Sequence, residues 1–146
     1  METNKNNEIA FLEKLLATEY IMNLKIKNFH RNVEGESFYG LHTFFEQMYT
    51  LSATNIDEIA ERIRKLGAYT KGSYKEYLTL TIIEECSHSH NGNANSMLKE
   101  LIADREKMLP FMNEVFDSMS QSTQNLLTDM IAQYEKDVWM MKAMIK

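Results

Sequence analysis

The sequence predicts an all-α fold in the form of a four-helix bundle, and three observations support this class. Apolar residues recur at helical spacing over four long stretches of the chain. The 146 residues include one Pro and five Gly, so residues that break helices are rare. The connections between the stretches are short except for one in the middle, which suits a bundle. The length fits one domain with its own core, and we expect residues 1–146 to form it.

The first two helices are predicted from their apolar spacing and their stop signals. The first covers residues 7–33, and Gly35 follows as a natural stop. The second begins after Ser37, a suitable N-cap, and ends at Gly67. The polar run SATN at residues 52–55 could break this helix, but the apolar spacing passes through it unshifted. We therefore predict one continuous helix.

The sequence of the second half of the chain predicts a crossover and two further long helices. Residues 68–85 indicate a loop with one short helix, and the run SHSHNGNAN indicates a second loop. The third long helix is expected over residues 95–119, with a kink at Pro110, because proline lacks an amide hydrogen and crowds the preceding turn. The fourth is expected over residues 123–145.

Composition and charge exclude several classes of protein. The formal net charge of −5 argues against nucleic acid as the default partner, since phosphate binding needs an excess of Lys and Arg. The amino terminus lacks the apolar region of a signal peptide, and no run approaches the roughly 18–20 apolar residues of a membrane span. Cys86 is the only cysteine, so no intrachain disulfide can form. We expect a cytoplasmic protein without membrane contact, in which Cys86 is a half-buried, unreactive thiol.

The second predicted helix carries a seam of metal-binding residue types. At about 100° per residue, Glu46, Asp57 and Glu61 lie roughly 40°, 60° and 100° around the axis from His42. Imidazole with carboxylates suits iron, zinc or manganese, and an oxygen-rich set with one or two His favours iron. The alternative is that His42 bonds locally while the carboxylates are only solvated.

Distance along this helix divides the seam into two pairs. At about 1.5 Å per residue, Asp57 lies roughly 22 Å from His42, too far for one ion. His42 with Glu46, and Asp57 with Glu61, are each one turn apart. Two copies packed antiparallel about a twofold axis would join the first pair of one chain to the second pair of the other. His30, about one turn before the first helix ends, would lie level with His42 in an antiparallel hairpin. The sequence thus predicts a metal site between subunits.

One long run of the sequence is similar to a known protein family. The run KNFHRNVEGESFYGLHTFFEQMYTLSATNIDEIAERIRKLG, residues 27–67, resembles the miniferritins of the Dps family (DNA-binding protein from starved cells). In that family a His shortly before a Gly and a second His after an aromatic precede a D-E-x-A-E-R box that ends in L-G. The ending WMMKAMIK is also similar to the family. The chain length and the distribution of predicted helices agree with the family over the whole sequence.

The resemblance implies a ferritin-like bundle with a ferroxidase centre shared by two subunits. His30 and His42 match the family's histidines and would come from one subunit. Asp57 and Glu61 match its carboxylates and would come from the neighbour. Glu46 stands where the family usually has Asp, and its longer arm can still reach a metal.

A second departure from the family pattern is Arg31, which stands where most members have a Trp close to the centre. The resemblance therefore implies that oxidising equivalents are handled differently here, through Tyr39, Tyr49 or Trp139. We expect the Arg31 cation to point away from the site, since it would otherwise repel Fe²⁺.

The resemblance also implies a function. Such proteins are similar in assembling as hollow twelve-subunit shells that oxidise Fe²⁺, preferably with hydrogen peroxide but also with O₂, and store the ferric mineral inside. Iron storage and protection against oxidative stress is therefore the expected function, with zinc or manganese as competitors for the iron site. The alternative is a nucleoid protein with a secondary iron role. Direct DNA binding is not expected, because the chain lacks a basic terminal extension.

Two further features are weaker candidates for functional sites. His88 and His90 are two residues apart in what the sequence predicts to be a flexible polar loop without a nearby third type of ligand, so no metal site is expected there. Asp129 is a candidate pore residue of the shell, although a helix also favours an acid in its first turn.

Overall fold

The computed structural model describes residues 2–145, and within them it contains five α-helices and no strand. Four long helices form an antiparallel bundle, and a short fifth helix lies in the middle crossover, which confirms the predicted all-α class and crossover helix. Among the residues described, no helix combines the length and the apolar character needed to cross a membrane. The helices are α1 (Glu2–Asn32), α2 (Phe38–Lys65), α3 (Tyr74–Leu80), α4 (Ala94–Asn113) and α5 (Gln121–Met144).

The core lies between the four long helices. Helix α1 packs along α2, α4 packs along α5, and α3 lies against α1. Aromatic pairs join neighbouring helices. Phe11 of α1 stacks on Phe111 of α4 with ring centroids 4.9 Å apart, and Tyr20 of α1 stacks on Tyr77 of α3 with centroids 4.4 Å apart. Burying one large apolar side chain is worth roughly 1.5–3 kcal/mol, so this interior dominates stability. Its fully buried members include Leu12, Leu15, Ile26, Phe29, Phe45, Ile59, Ile63, Leu101, Leu127 and Met141.

Helix α2 is continuous through the polar run at residues 52–55, as predicted. Ser52 is buried in line with its apolar neighbours, and its hydroxyl donates a 2.9 Å hydrogen bond to Glu19 on α1. Ser37 is the N-cap residue of α2, although its side chain makes no capping hydrogen bond. The polar run therefore serves as a buried contact between helices, not as a break.

The predicted end of the third long helix is wrong. Helix α4 ends at Asn113, three residues after Pro110, and a short 3₁₀ turn (Phe116–Ser118) follows. The apolar spacing continued beyond this end because Val115 and Met119, which follow α4, still pack against the core. Apolar spacing reports burial, and here burial continues where the α-helical backbone does not.

The predicted start of the first helix is also wrong, since α1 already begins at Glu2. Residues 2–6 are polar and carry no apolar spacing, so the pattern could not reveal this part of the helix.

The loop between α3 and α4 is fixed to the end of α1. The side-chain amide of Asn28 donates a 3.0 Å hydrogen bond to the carbonyl of His88, and the Glu34 amide donates a 2.9 Å bond to the carbonyl of Gly92. A Cβ on Gly92 would lie 2.4 Å from Oε1 of Glu34, and its φ of +75° also favours glycine. Two hydrogen bonds and a close approach at Gly92 thus hold this loop against the end of α1.

Candidate metal centre

The turn between α1 and α2 brings His30 and His42 face to face. His30 lies in the last turn of α1, and His42 lies in the first turns of α2. Gly35 in the connection has a φ of +102°, which lets the chain reverse within five residues. The two imidazole rings stack with centroids 3.7 Å apart and planes 19° from parallel. The expectation that an antiparallel hairpin makes them level is confirmed.

Reciprocal hydrogen bonds fix both rings. Nδ1 of His30 lies 2.7 Å from the carbonyl oxygen of His42, and Nδ1 of His42 lies 2.8 Å from the carbonyl oxygen of His30. A carbonyl only accepts, so each Nδ1 must carry the hydrogen. In the neutral rings Nε2 then has the free lone pair, which is the arrangement of a metal-binding histidine with its other nitrogen bonded to a carbonyl.

Glu46 completes a cluster of three potential ligands. It lies one helical turn after His42, and its carboxylate is exposed. One ligand atom from each of His30, His42 and Glu46 lies within 4.8 Å of the other two. Two imidazole nitrogens with a carboxylate oxygen are a set of ligands suited to a first-row divalent cation.

The other two predicted ligands are not part of this cluster. Asp57 and Glu61 lie on α2 with exposed carboxylates. Asp57 is roughly 22 Å along the helix from His42 at the usual helical rise. Within one chain the structure brings together three of the five predicted residues and leaves an exposed carboxylate pair farther along the same helix.

Aromatic side chains surround the imidazoles. Tyr49 meets the His30 ring edge-on at 5.2 Å, and Phe38 stacks on His42 at 5.0 Å. Phe38 was missed by sequence reasoning, although its position four residues before His42 on one helix places it on the same face. Tyr39 and Trp139 are strongly exposed, and no ring contact joins either to the cluster. Tyr49 is therefore the predicted electron-transfer residue that actually adjoins the histidines.

Arg31 is exposed, as expected. It lines surface clefts beside the loop between α3 and α4, where Asn91 and Cys86 also lie. Asp129 is likewise exposed on α5, and its role as a pore residue stays a prediction.

A second group of potential ligands corrects the prediction for His88 and His90. Cys86 supplies the third type of ligand that the sequence analysis did not find, and its ligand atom and theirs all lie within 4.8 Å of one another. Burial raises the pKa of the Cys86 thiol, in agreement with an unreactive half-buried cysteine.

Comparison with known proteins places this geometry in a family. Residues 9–146 match the ferritin-like domain family. "DNA protection during starvation protein 2" of Bacillus anthracis is 36% identical over 141 residues, which cover 94% of this chain and 95% of that relative.

Solved structures agree with this assignment. The crystal structure of a Dps protein from Vibrio cholerae O1, described as a member of a broad superfamily of ferritin-like diiron-carboxylate proteins, superposes with a TM-score of 0.92 at 30% identity, covering 99% of this chain and 92% of that one. A Dps protein from Bacillus brevis gives a TM-score of 0.91 at 26% identity, covering 97% and 96%. With nearly its whole length matched in sequence and in fold, the chain belongs to the Dps miniferritins of the ferritin-like family.

Proposed function

We propose that this protein oxidises Fe²⁺ with hydrogen peroxide at centres shared between two subunits and stores the ferric product inside a dodecameric shell in the cytoplasm. One observation carries the proposal: His30, His42 and Glu46 form half of a metal site, with both Nε2 atoms free to bind. Membership of the family supports it, and so does the description of the Vibrio cholerae relative as a diiron-carboxylate protein.

The missing half of each centre would come from a second copy of the chain. Asp57 and Glu61 are exposed one turn apart on α2, and neither belongs to a group of three potential metal ligands among the residues that the structure describes. A twofold axis between two α2 helices would place this pair opposite the His30 cluster of the partner, and would do so twice per dimer. The carboxylates would then favour Fe³⁺ over Fe²⁺, because hard oxygen anions match the higher charge.

The reaction consumes both substrates in a balanced step. Two Fe²⁺ ions each give up one electron, and hydrogen peroxide takes both electrons with two protons to form two molecules of water. No hydroxyl radical is released when both electrons are delivered together, so the reaction protects the cell while it immobilises iron. O₂ is the slower alternative oxidant, and zinc or manganese would compete for the same ligands.

The charge of the chain supports storage of a cation. Each chain has a formal net charge of −5, and twelve copies in one shell would multiply the attraction for Fe²⁺. Arg31 is exposed and lines the clefts beside the loop between α3 and α4, which supports a guanidinium directed away from the His30 cluster. Tyr49, edge-on to His30, is placed to give up an electron if an oxidising equivalent escapes.

The double substitution His30→Ala and His42→Ala tests the site. We expect ferric absorbance after an anaerobic Fe²⁺ load and a peroxide pulse to appear about 100-fold more slowly or worse, since losing even an outer-shell partner of a metal costs roughly 10–100-fold. Size-exclusion chromatography should show unchanged assembly.

Thr43→Ala is the matched control, because Thr43 is exposed beside His42 and lies outside the cluster. Its oxidation rate should equal that of the wild type. An unchanged rate in the double variant would refute the assignment of the two histidines.

A further inference from the structure

The loop between α3 and α4 holds a compact group of metal-binding side chains outside the centre described above. Sγ of Cys86 lies 3.8 Å from Nε2 of His90, and the His88 and His90 rings meet at 4.4 Å. Two ligands of a tetrahedral zinc ion lie about 3.5 Å apart, given Zn–S and Zn–N bonds of about 2.3 and 2.0–2.1 Å. The existing spacing is therefore close to that of a bound ion.

A fourth potential ligand lies beside His90, outside the group of three whose ligand atoms are all close to one another. Oε1 of Glu100, on α4, lies 2.8 Å from Nε2 of His90. A carboxylate only accepts, so a hydrogen now lies between these two atoms. A metal ion that replaced this hydrogen on Nε2 would meet the Glu100 carboxylate at once.

The surroundings hold Glu100 and His90 in place. Nζ of Lys25, which is buried, lies 2.9 Å from Oε2 of Glu100 and 2.7 Å from Asp104, so its charge is shared between two carboxylates. The ring of His90 packs edge-on against Phe29 at 5.3 Å. Such outer contacts orient ligands before the metal arrives.

The backbone of the loop is strained at the same place. His90 and Asn91 have φ values of 52° and 51°, a left-handed conformation that is costly for His90 and better tolerated by Asn91. The hydrogen bonds from Asn28 and Glu34 to this loop offset that cost. Strain of this kind is concentrated at ligand-binding sites.

This group is separate from the His30 cluster in position and in chemistry. Asn28, which holds the loop, and His30 lie roughly 200° apart around α1, so the two groups occupy opposite sides of the helix. The His30 cluster offers only nitrogen and oxygen, whereas the loop adds a thiolate. Sulfur with imidazole favours zinc over the harder cations.

We propose that Cys86, His88, His90 and Glu100 form a second, mononuclear metal site for Zn²⁺. Bound zinc would connect the crossover loop to α4 through Glu100, and binding would release the thiol hydrogen of Cys86.

Titration of the metal-free full-length protein with Co²⁺ tests the site, because a thiolate bound to Co²⁺ absorbs in the near ultraviolet and the chain has one cysteine. We expect this band to saturate at about one Co²⁺ per chain, as four ligands around one ion require, and to disappear when Zn²⁺ is added. His88→Ala and His90→Ala should each weaken Co²⁺ binding about tenfold or more. The variant lacking His30 and His42 should keep the band, as should Glu85→Gln, a neighbouring exposed carboxylate.

Absence of the band in the wild-type protein would overturn the proposal. Unchanged Co²⁺ affinity in either histidine variant would overturn it too, because the thiol would then bind metal without the imidazoles. A measurement on the wild type alone provides a second test: equimolar Zn²⁺ should slow alkylation of Cys86 about tenfold or more. An alkylation rate that Zn²⁺ leaves unchanged would contradict zinc binding at this thiol.

Discussion

Glu46 is the proposed metal ligand at which this chain differs from the aspartate expected from its resemblance to the family. Its side chain is one methylene longer than Asp, and it starts from an exposed position one turn beyond His42. The structure still places its ligand atom within 4.8 Å of those of His30 and His42. The longer arm therefore reaches the cluster, and Glu46 should bind iron itself.

Replacing Glu46 by Gln tests this role. The amide keeps the size of the side chain but removes the anionic oxygen that favours iron, so the Fe²⁺ concentration for half-maximal oxidation should rise about tenfold or more. Initial rates of ferric absorbance at varied Fe²⁺ measure it. Glu58→Gln removes an exposed carboxylate next to Asp57 and should have no effect. Equal behaviour of the two variants would show that Glu46 is only a solvated acid.

Some side chains of the two clusters could be predicted to meet from their spacing along the chain, and others could not. The helical periods placed His30 and His42 at one height because a short hairpin aligns adjacent helix ends. Their reciprocal bonds to each other's carbonyls depend on ring orientation, which no spacing encodes. The contact of Cys86 with His90 was missed because no helical spacing relates these two residues, which meet in a loop where His90 and Asn91 have positive φ angles.

Helix α5 begins with an unusual cap. Its N-cap residue, Ser120, makes no capping bond with its own side chain. Instead the carboxylate of Glu8 on α1 accepts hydrogen bonds from the Ser120 amide at 2.8 Å, the Ser120 hydroxyl at 2.7 Å and the Thr123 hydroxyl at 2.5 Å. A negative charge at a helix N-terminus is also favourable. One residue thus ties the start of α1 to the start of α5.

Glu8→Gln should destabilise the protein by about 1–2 kcal/mol at pH 7, the usual worth of a cap with charged hydrogen bonds. Burial alone would raise the pKa of Glu8, but the hydrogen bonds from Thr123 and Ser120 outweigh it and hold the pKa below 4.5. Because the pKa of Glu8 is lowered in the folded protein, its ionised carboxylate stabilises the fold above pH 4.5, and this contribution is lost as the pH falls further. The stability difference between Glu8→Gln and the wild type should therefore become smaller as the pH falls.

Thermal unfolding from pH 7 to pH 3 measures this difference. Glu13→Gln is the control, since Glu13 makes a surface ion pair with Lys71 at 3.4 Å, and such pairs are worth roughly 0–1 kcal/mol. A stability loss in Glu8→Gln that stayed constant down to pH 3 would contradict the role of the charge.

The helices themselves were largely predictable, and the exceptions have one cause. The continuity of α2 could be predicted because its apolar spacing is unbroken and the buried Ser52 stays in phase with it. The true ends of α1 and α4 did not follow, because apolar spacing reports which residues are buried and not which backbone hydrogen bonds form. Polar residues extend α1, and buried residues continue beyond the end of α4.

On the proposed function, a single bundle would be incomplete as an iron-oxidising unit. His42, which His30 of α1 adjoins, and the carboxylate pair lie on the same helix α2, yet roughly 22 Å apart along it. Both face outward from the core, since Glu46, Asp57 and Glu61 are all exposed. Activity on this account belongs to the assembly, and a chain that cannot pair should fold but not oxidise iron at this centre.

Complementation between two inactive variants tests this claim most directly. One variant carries His30→Ala and His42→Ala, and the other carries Asp57→Asn and Glu61→Gln. In a mixed dimer, one of the two centres receives the intact histidines of one chain and the intact carboxylates of the other. With random pairing of equal amounts, half of the dimers are mixed, so co-assembly should restore about a quarter of the wild-type oxidation rate. A co-assembled mixture no more active than either variant alone would contradict the shared centre.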